Sequence, residues 1–496
     1  MRDASRSDEI ADILRSFTGT ERVGSWSAGE IYEGAGEAIT LMNPSDGKPV
    51  LEYADAHEGV VGQLMENAAR AQEDWMSLTA SQRGRVMWRI GTLIRENHDA
   101  LAGLEVVLAG KTSADAQVEV TKVAEMFEYY AGWCDKIHGE VIPLPTSHLN
   151  YTLREPHGVA VQITPWNAPI FTGGWQIAPA ICTGNAAVLK PSELTPVSSI
   201  ALAALCEQAG TPKGLVGVIA GRGHTAGQSA LAHPKAAIAV FVGSAEAGSK
   251  IAATAARRLI PSILELGGKS ANIVFEDADL DKAAEGAKAA IFSGAGQSCV
   301  AGSRLLVHSS VKADLVDRLK NICASIKVGP SDDPSTQMGP IQNKAQWSKI
   351  QDMVAEAETQ GARVACGGSP PSGLETGYFF EPTILDDVTE NMIVSREEIF
   401  GPVVSVLTFD TEEEAVRIAN ATPYALAGAV WTKDVGRAHR MASKVRAGTF
   451  WVNSYKAISV MTPFGGSGMS GYGRSSGSDA LQAYTRAKSV WVQTAP

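Results

Sequence analysis

The run GVAVQIT at residues 158–164 is a short β-branched stretch that ends in the proline-bracketed turn PWNAP, and it is the first of a series. AAVLK (186–190), LVGVIAG (215–221) and AIAVFVG (237–243) repeat it, separated by helix-like stretches. Strands that alternate with helices argue for βαβ units and a parallel sheet covered by helices on both faces. Toward the N-terminus, residues 59–133 read as helix, with segments such as SQRGRVMWRIGTLIREN (81–97) carrying apolar residues at three- and four-residue spacing. Toward the C-terminus a second alternation begins. SRLLVHS (303–309), ARVACGG (362–368), GPVVSVLTF (401–409), ALAGAVWT (425–432) and GTFWVN (448–453) read as strands, with TEEEAVRIANA (411–421) and VGRAHRMASKV (435–445) as helices between them. Two α/β domains are the simplest account. GEVIPLPTSHLNYTLREPHG (139–158) is rich in β formers and is expected to extend as a hairpin.

A chain of 496 residues exceeds what one hydrophobic core holds. Its net charge of -11 leaves no basic footprint for nucleic acid. The start MRDASRSDEIADIL is charged, and the longest apolar runs fall far short of a bilayer span, so no membrane association and a cytoplasmic location are expected. The six cysteines lack CxxC pairs, which argues for reduced thiols rather than a disulfide framework or a zinc knuckle.

Three motif-like stretches lack the context that would give them meaning. GGSGMSG (465–471) contains G-x-G-x-x-G, but no β-run leads directly into it. GKT (110–112) has Glu105 where a P-loop needs glycine. DADLD (277–281) has Lys282 where a calcium loop needs its sharp-turn glycine, and reads better as a helix N-terminus. The nine histidines show no tight ligand spacing, so no metal site is expected.

FSGAGQSCVAG (292–302) sets Cys299 among small and polar residues, whereas Cys182, Cys206 and Cys323 lie inside apolar helical patterns. A cysteine on such a loop is a candidate nucleophile, because the thiolate needs access and polar company. ILELGGKSA (263–271) ends an apolar strand in Glu265 beside paired glycines, the setting of a general base. In ITPWNAPI (163–170), Pro165 and Pro169 fix a turn from which the Asn167 amide is able to donate to a developing oxyanion.

Seven motifs together carry a resemblance. TPWNAPI (164–170), LKPSE (189–193), FVGS (241–244), ELGGKS (265–270), GQSC (296–299), EIFGPV (398–403) and PFGGSGMSGYGR (463–474) stand in the order and at the spacings of the aldehyde dehydrogenases. The chain resembles that family from about residue 40 onward. The resemblance implies an α/β architecture in three parts: a Rossmann-like parallel-sheet cofactor domain (1–139 and 157–267), a second α/β catalytic domain (268–467) and a small β oligomerisation element (140–156 and 468–496). It implies that Cys299 attacks an aldehyde, that Asn167 and the Cys299 backbone N–H hold the oxyanion, and that Glu265 activates the water that hydrolyses the thioester. It implies NAD as cofactor, with Thr164, Pro165, Trp166, Gly243 and Leu266 among its contacts. Lys190, Ser192 and Glu193 fall at the adenine-side ribose, Ser244 at the pyrophosphate turn, and Glu398 and Phe400 at the nicotinamide ribose. The partners implied are a small-molecule aldehyde and further copies of the chain, as a homodimer or homotetramer.

Family members often carry an acidic residue after the arginine matching Arg474 and a lysine at the position of Met469; Ser475 and Met469 stand here and are expected to affect only subunit contacts. A CoA-acylating activity is disfavoured because Glu265 would have no use there. A catalytically silent binding relative is disfavoured by the intact Cys299, Glu265 and Asn167 set. Ala168, Thr172, Trp175, Ile458 and Phe464 are expected to line the substrate tunnel; the small residues leave room and the others keep the walls apolar, for a bulky apolar or aromatic aldehyde. Lys456 on the same loop raises the alternative of a substrate with a carboxylate, a single lysine being more often a solvated charge.

Overall fold

The computed structural model describes residues 3–494. Helices Glu58–Ser77, Ala80–Glu96, His98–Ala109 and Ser113–Ala131 occupy the N-terminal region of helical periodicity. The second starts on a capping box, in which the Thr79 side chain and Gln82 each satisfy the other's backbone N–H. The first is fastened by Trp75, whose buried indole N–H donates to the Ile181 carbonyl at 2.8 Å.

Five parallel strands follow in the spatial order Val216–Val218, Ala186–Lys190, Val159–Ile163, Ala236–Gly243 and Ser262–Leu266. Every residue of Val159–Ile163 and Ala186–Lys190 is buried, as expected where helices cover both faces. This is a Rossmann-like order, with the direction of winding reversing between Val159–Ile163 and Ala236–Gly243. At such a reversal the helices leave on opposite faces and a crevice opens beyond the strands' carboxyl ends. The short strand Gly471–Tyr472, inside the glycine-rich stretch, closes the sheet edge by pairing antiparallel with Leu264 and Glu265.

A second sheet of seven strands runs Arg363–Cys366, Thr383–Asp386, Val403–Phe409, Arg304–His308, Ala271–Val274, Ala427–Trp431 and Thr449–Val452. All its pairings are parallel except the first. The two sheets bury separate cores, one around Trp75, Phe127, Ile177 and Val240, the other around Phe275, Leu306, Ile384 and Val406. A smaller cluster of Val300, Leu426, Trp451 and Tyr455 carries Cys299, Ile458 and Phe464 at its margin. The expected hairpin is present, since Val141–Ile142 pairs with His148–Pro156, and the latter pairs along its whole length with Thr485–Gln493. DADLD does begin a helix, with Asp279 capping Leu280–Ile291. No helix among the described residues is long and apolar enough to cross a membrane.

Arg304 ties the second sheet to its surroundings. It is 2% exposed, and its guanidinium donates to the carbonyls of Lys269 at 2.9 Å, Ile418 at 2.7 Å and Ala419 at 2.7 Å. Arg304→Met strands all three acceptors, and with about 1–3 kcal/mol for each unsatisfied buried group the loss is expected to reach about 3 kcal/mol or more. Thermal unfolding followed by circular dichroism checks this; an unchanged midpoint contradicts it.

Candidate active site

The loop that carries Cys299 is shaped by small residues. Helix Leu280–Ile291 stops at Phe292, and Gly294, Ala295 and Gly296 then take three successive left-handed conformations, with φ of 63°, 53° and 71°. A Cβ on Gly296 would stand 2.0 Å from the Gly401 carbonyl oxygen, so only glycine lets this loop lie against EIFGPV. The chain returns through Gly302, whose N–H donates to the Ala290 carbonyl at 3.1 Å, into strand Arg304–His308. Cys299 keeps a partly open surface, whereas Cys182, Cys206 and Cys323 are buried.

Asn167 arrives from the other sheet. Val159–Ile163 ends at the crevice, Pro169 starts helix Pro169–Cys182, and the turn between them points the Asn167 amide at the Cys299 loop. One Nδ2 hydrogen donates to the Gln297 carbonyl at 2.8 Å. The amide has a second hydrogen available to the cavity. The Gln297 side chain in turn accepts from the Gln342 N–H at 2.9 Å, which holds the loop from behind.

Glu265 is the penultimate residue of strand Ser262–Leu266, 5% exposed, and among the described residues neither carboxylate oxygen makes a hydrogen bond. Burial pushes its carboxyl up to about 8, against the pull of the Ser475 hydroxyl and the Arg474 guanidinium. Burial likewise pushes the Cys299 thiol up to about 12, with the Glu398 and Glu265 carboxylates adding to the shift. Both groups gain charge on ionising, so the enclosed site favours the neutral form of each.

Cys299, Glu265 and Asn167 share one cavity of about 350 Å³. Ala168, Thr172, Trp175, Ile458 and Phe464 also line it. Trp175 stacks on Phe171 with ring centres 5.2 Å apart and meets Phe464 edge-on at 5.7 Å. The walls are not apolar throughout, contrary to the expectation from sequence. Lys111, Asp115, Glu119, Lys122, Glu125 and Lys456 contribute a charged side, because helix Ser113–Ala131 packs across the cavity. Lys111 belongs to the GKT stretch set aside as a failed P-loop. The expectation for Ser475 is also corrected: it lines the cavity and its hydroxyl accepts the Trp175 indole N–H at 2.8 Å, next to Glu265. Phe171, Gln297 and Ser475 all lie in or beside quoted motifs, but nothing in their spacing marks them as wall or brace.

The remaining predicted residues gather along the crevice. Thr164 follows the first strand, 3% exposed, with a hydroxyl that has no partner. Pro165 leads to Trp166, which meets Phe400 edge-on at 5.4 Å; Phe400 itself has φ 58°. Lys190 is buried, donates to the Gly221 carbonyl at 3.1 Å and lies 3.5 Å from the Glu193 carboxylate. Burial lowers its ammonium against the pull of Glu193. Ser192 accepts from the Leu194 N–H, and Glu193 is a third exposed. Gly243 ends its strand, and Ser244 caps helix Ala245–Arg257, leaving the positive helix end facing the crevice. Leu266 is 6% exposed, and Glu398 accepts from the Gly268 N–H at 3.0 Å, with burial raising its carboxyl.

A family model described as the aldehyde dehydrogenase family matches residues 31–490, and the chain belongs to that family. An aldehyde dehydrogenase of Aspergillus niger is 41% identical over 471 residues, covering 94% of each chain. Human (Homo sapiens) retinal dehydrogenase 2 is 39% identical over 465 residues, covering 92% of this chain and 89% of that one. The crystal structure of betaine aldehyde dehydrogenase from Staphylococcus aureus in complex with NAD+ superimposes with a TM-score of 0.94 at 36% identity, over 98% of this chain and 96% of the other.

Gly296→Ala is expected to push the Cys299 loop off Gly401 and to lower kcat by about 10-fold or more, since a misplacement of about 1 Å costs a reaction up to about 100-fold. Steady-state kinetics beside NAD titration by fluorescence tests it; wild-type kcat contradicts the assigned role of the glycine.

Proposed function

We propose that this aldehyde dehydrogenase uses NAD to oxidise a bulky apolar or aromatic aldehyde to its carboxylic acid through covalent attachment to Cys299. The observation that carries the reading is the convergence of Cys299, Asn167 and Glu265, from three distant segments, on one cavity of about 350 Å³. The crevice residues fit the dinucleotide. The orphaned Thr164 hydroxyl sits where the winding reverses, the Ser244 helix end suits a phosphate, and Trp166 with Phe400 supplies aromatic surface toward Cys299. Lys190 and Glu193 suit a ribose bearing free hydroxyls, and the Glu193 charge disfavours a 2′-phosphate.

The Cys299 thiol gives its proton to water in the cavity as its sulfur attacks the aldehyde carbon, forming a thiohemiacetal whose oxyanion accepts from the second Asn167 amide hydrogen and the Cys299 N–H. NAD, when bound, supplies the hydride acceptor that turns this adduct into a thioester. Glu265 then takes a proton from water, the hydroxide adds to the thioester carbon, and the carbon–sulfur bond breaks to release the acid and regenerate Cys299. Its buried, partnerless carboxylate has a basicity matched to that task. For assembly, we assign the three-stranded sheet to subunit association as homodimer or homotetramer, supported by the exposed Leu149 and Val492 that pair across it.

Cys299→Ser is expected to abolish turnover with NAD binding retained, and Glu265→Gln to accumulate an acyl adduct on Cys299, read by intact mass. In the wild type, hydrolysis-limited turnover is expected to rise as pH increases through about 8, where Glu265 becomes ionised, and this limb disappears in Glu265→Gln. Full turnover in Cys299→Ser, or fast turnover without adduct in Glu265→Gln, contradicts the mechanism.

For substrate, kcat/KM for benzaldehyde-like or medium-chain aldehydes is expected to exceed that for acetaldehyde and succinic semialdehyde, and Ala168→Phe is expected to remove that advantage. Initial rates of NADH formation decide it; acetaldehyde as best substrate, or an unchanged ranking in Ala168→Phe, contradicts the pocket assignment.

A further inference from the structure

The charged side of the cavity is unevenly compensated. Lys111 pairs with Glu119 at 2.5 Å and Lys122 with Glu125 at 2.7 Å, so these four charges cancel in place. Asp115 stands in the first turn of helix Ser113–Ala131, where the positive helix end stabilises its carboxylate. Lys456 is held less tightly: among the described residues its ammonium makes no ion pair, its one hydrogen bond is to the Ser293 carbonyl at 3.4 Å, and Asp115 acts on it only through space. Burial pushes that ammonium down to about 8, with Asp115 opposing and Lys111 adding to the shift. The backbone supports the placement at a cost. Lys456 has φ 58°, a left-handed conformation that favours glycine or asparagine, and the flanking bonds from Tyr455 to the Val300 carbonyl at 3.0 Å and from Trp451 to the Ala457 carbonyl at 3.0 Å hold it there. Backbone strain held in place beside a cavity is a mark of function.

We propose that Lys456 receives a carboxylate on the substrate, so that the preferred aldehyde is a ring or medium-length chain bearing a formyl group at one end and an acid at the other. The inference rests on the reading of this cavity as the substrate tunnel. Ser293 and Lys456 line the same cavity as Cys299, and a substrate carboxylate at the ammonium gives it the close charge-assisted hydrogen bond that no side chain among the described residues makes. Succinic semialdehyde carries the same two groups on a chain shorter than this class.

The test compares para-formylbenzoate with its neutral methyl ester, and with para-(trimethylammonio)benzaldehyde, by NADH formation in the wild type, Lys456→Gln and Lys456→Arg. The wild type is expected to favour the carboxylate over the ester by about 10-fold in kcat/KM, mainly through KM, the worth of about one charge-assisted hydrogen bond. That ratio falls close to one in Lys456→Gln and is largely kept in Lys456→Arg. Because the ratio is taken within each variant, loss of folded protein does not imitate the result. Equal rates for acid and ester in the wild type, an unchanged ratio in Lys456→Gln, or preference for the cationic aldehyde overturns the proposal while the bulky-substrate reading stands. Acetaldehyde preferred over all three aryl aldehydes overturns the tunnel reading itself, and this inference with it.

Discussion

The hydrogen bond from the Asn167 amide to the Gln297 carbonyl, 2.8 Å long across 130 positions of sequence, joins the two halves of the proposed catalytic centre. Asn167 belongs to the turn that ends a strand of the first sheet, and Gln297 to the loop that precedes a strand of the second. Neither sheet alone contains both the proposed nucleophile Cys299 and its proposed oxyanion donor Asn167. A primary amide suits this position because it has two hydrogens, one for the brace and one free for the proposed oxyanion contact, where a hydroxyl would have to choose. The left-handed run from Gly294 to Gly296, packed on Gly401, brings the Gln297 carbonyl within reach.

Around that brace the site works by withholding solvent. Enclosure raises the Glu265 carboxyl and the Cys299 thiol and lowers the Lys190 and Lys456 ammoniums, each toward its uncharged form. Partners then separate the roles. Lys190 has Glu193 beside it and a carbonyl to hold, while among the described residues Glu265 makes no hydrogen bond and Lys456 makes no ion pair. The proposed roles follow this difference, with a reacting water assigned to Glu265 and a substrate carboxylate to Lys456.

Two periodicities made most of the fold legible. The strands at Val159–Ile163 and Ala186–Lys190 match their β-branched runs within a residue or two, because buried parallel strands need continuous apolar residues and show it. The helical region from residue 58 to 131 declared itself by its apolar spacing. Strand Gly471–Tyr472 did not, since two residues carry no period; it exists because Leu264 and Glu265 offer an open edge. The same limit hid Ser475, whose importance comes from the Trp175 indole and Glu265 rather than from its own neighbours in the chain.

By itself the sequence determined the α/β class, the family, and which cysteine, asparagine and glutamate merit attention, because these depend on local pattern and on short motifs that hold their spacing. The tertiary structure alone decided the character of the cavity. Helix Ser113–Ala131, with Lys111 just before it, brings Lys111, Asp115 and Glu119 to the wall that Lys456 also lines, more than three hundred residues away, and gives an expected apolar tunnel a charged side. Whether a charge is solvated, paired or left alone depends on what packs against it in space, and that approach is written in no single stretch of the chain.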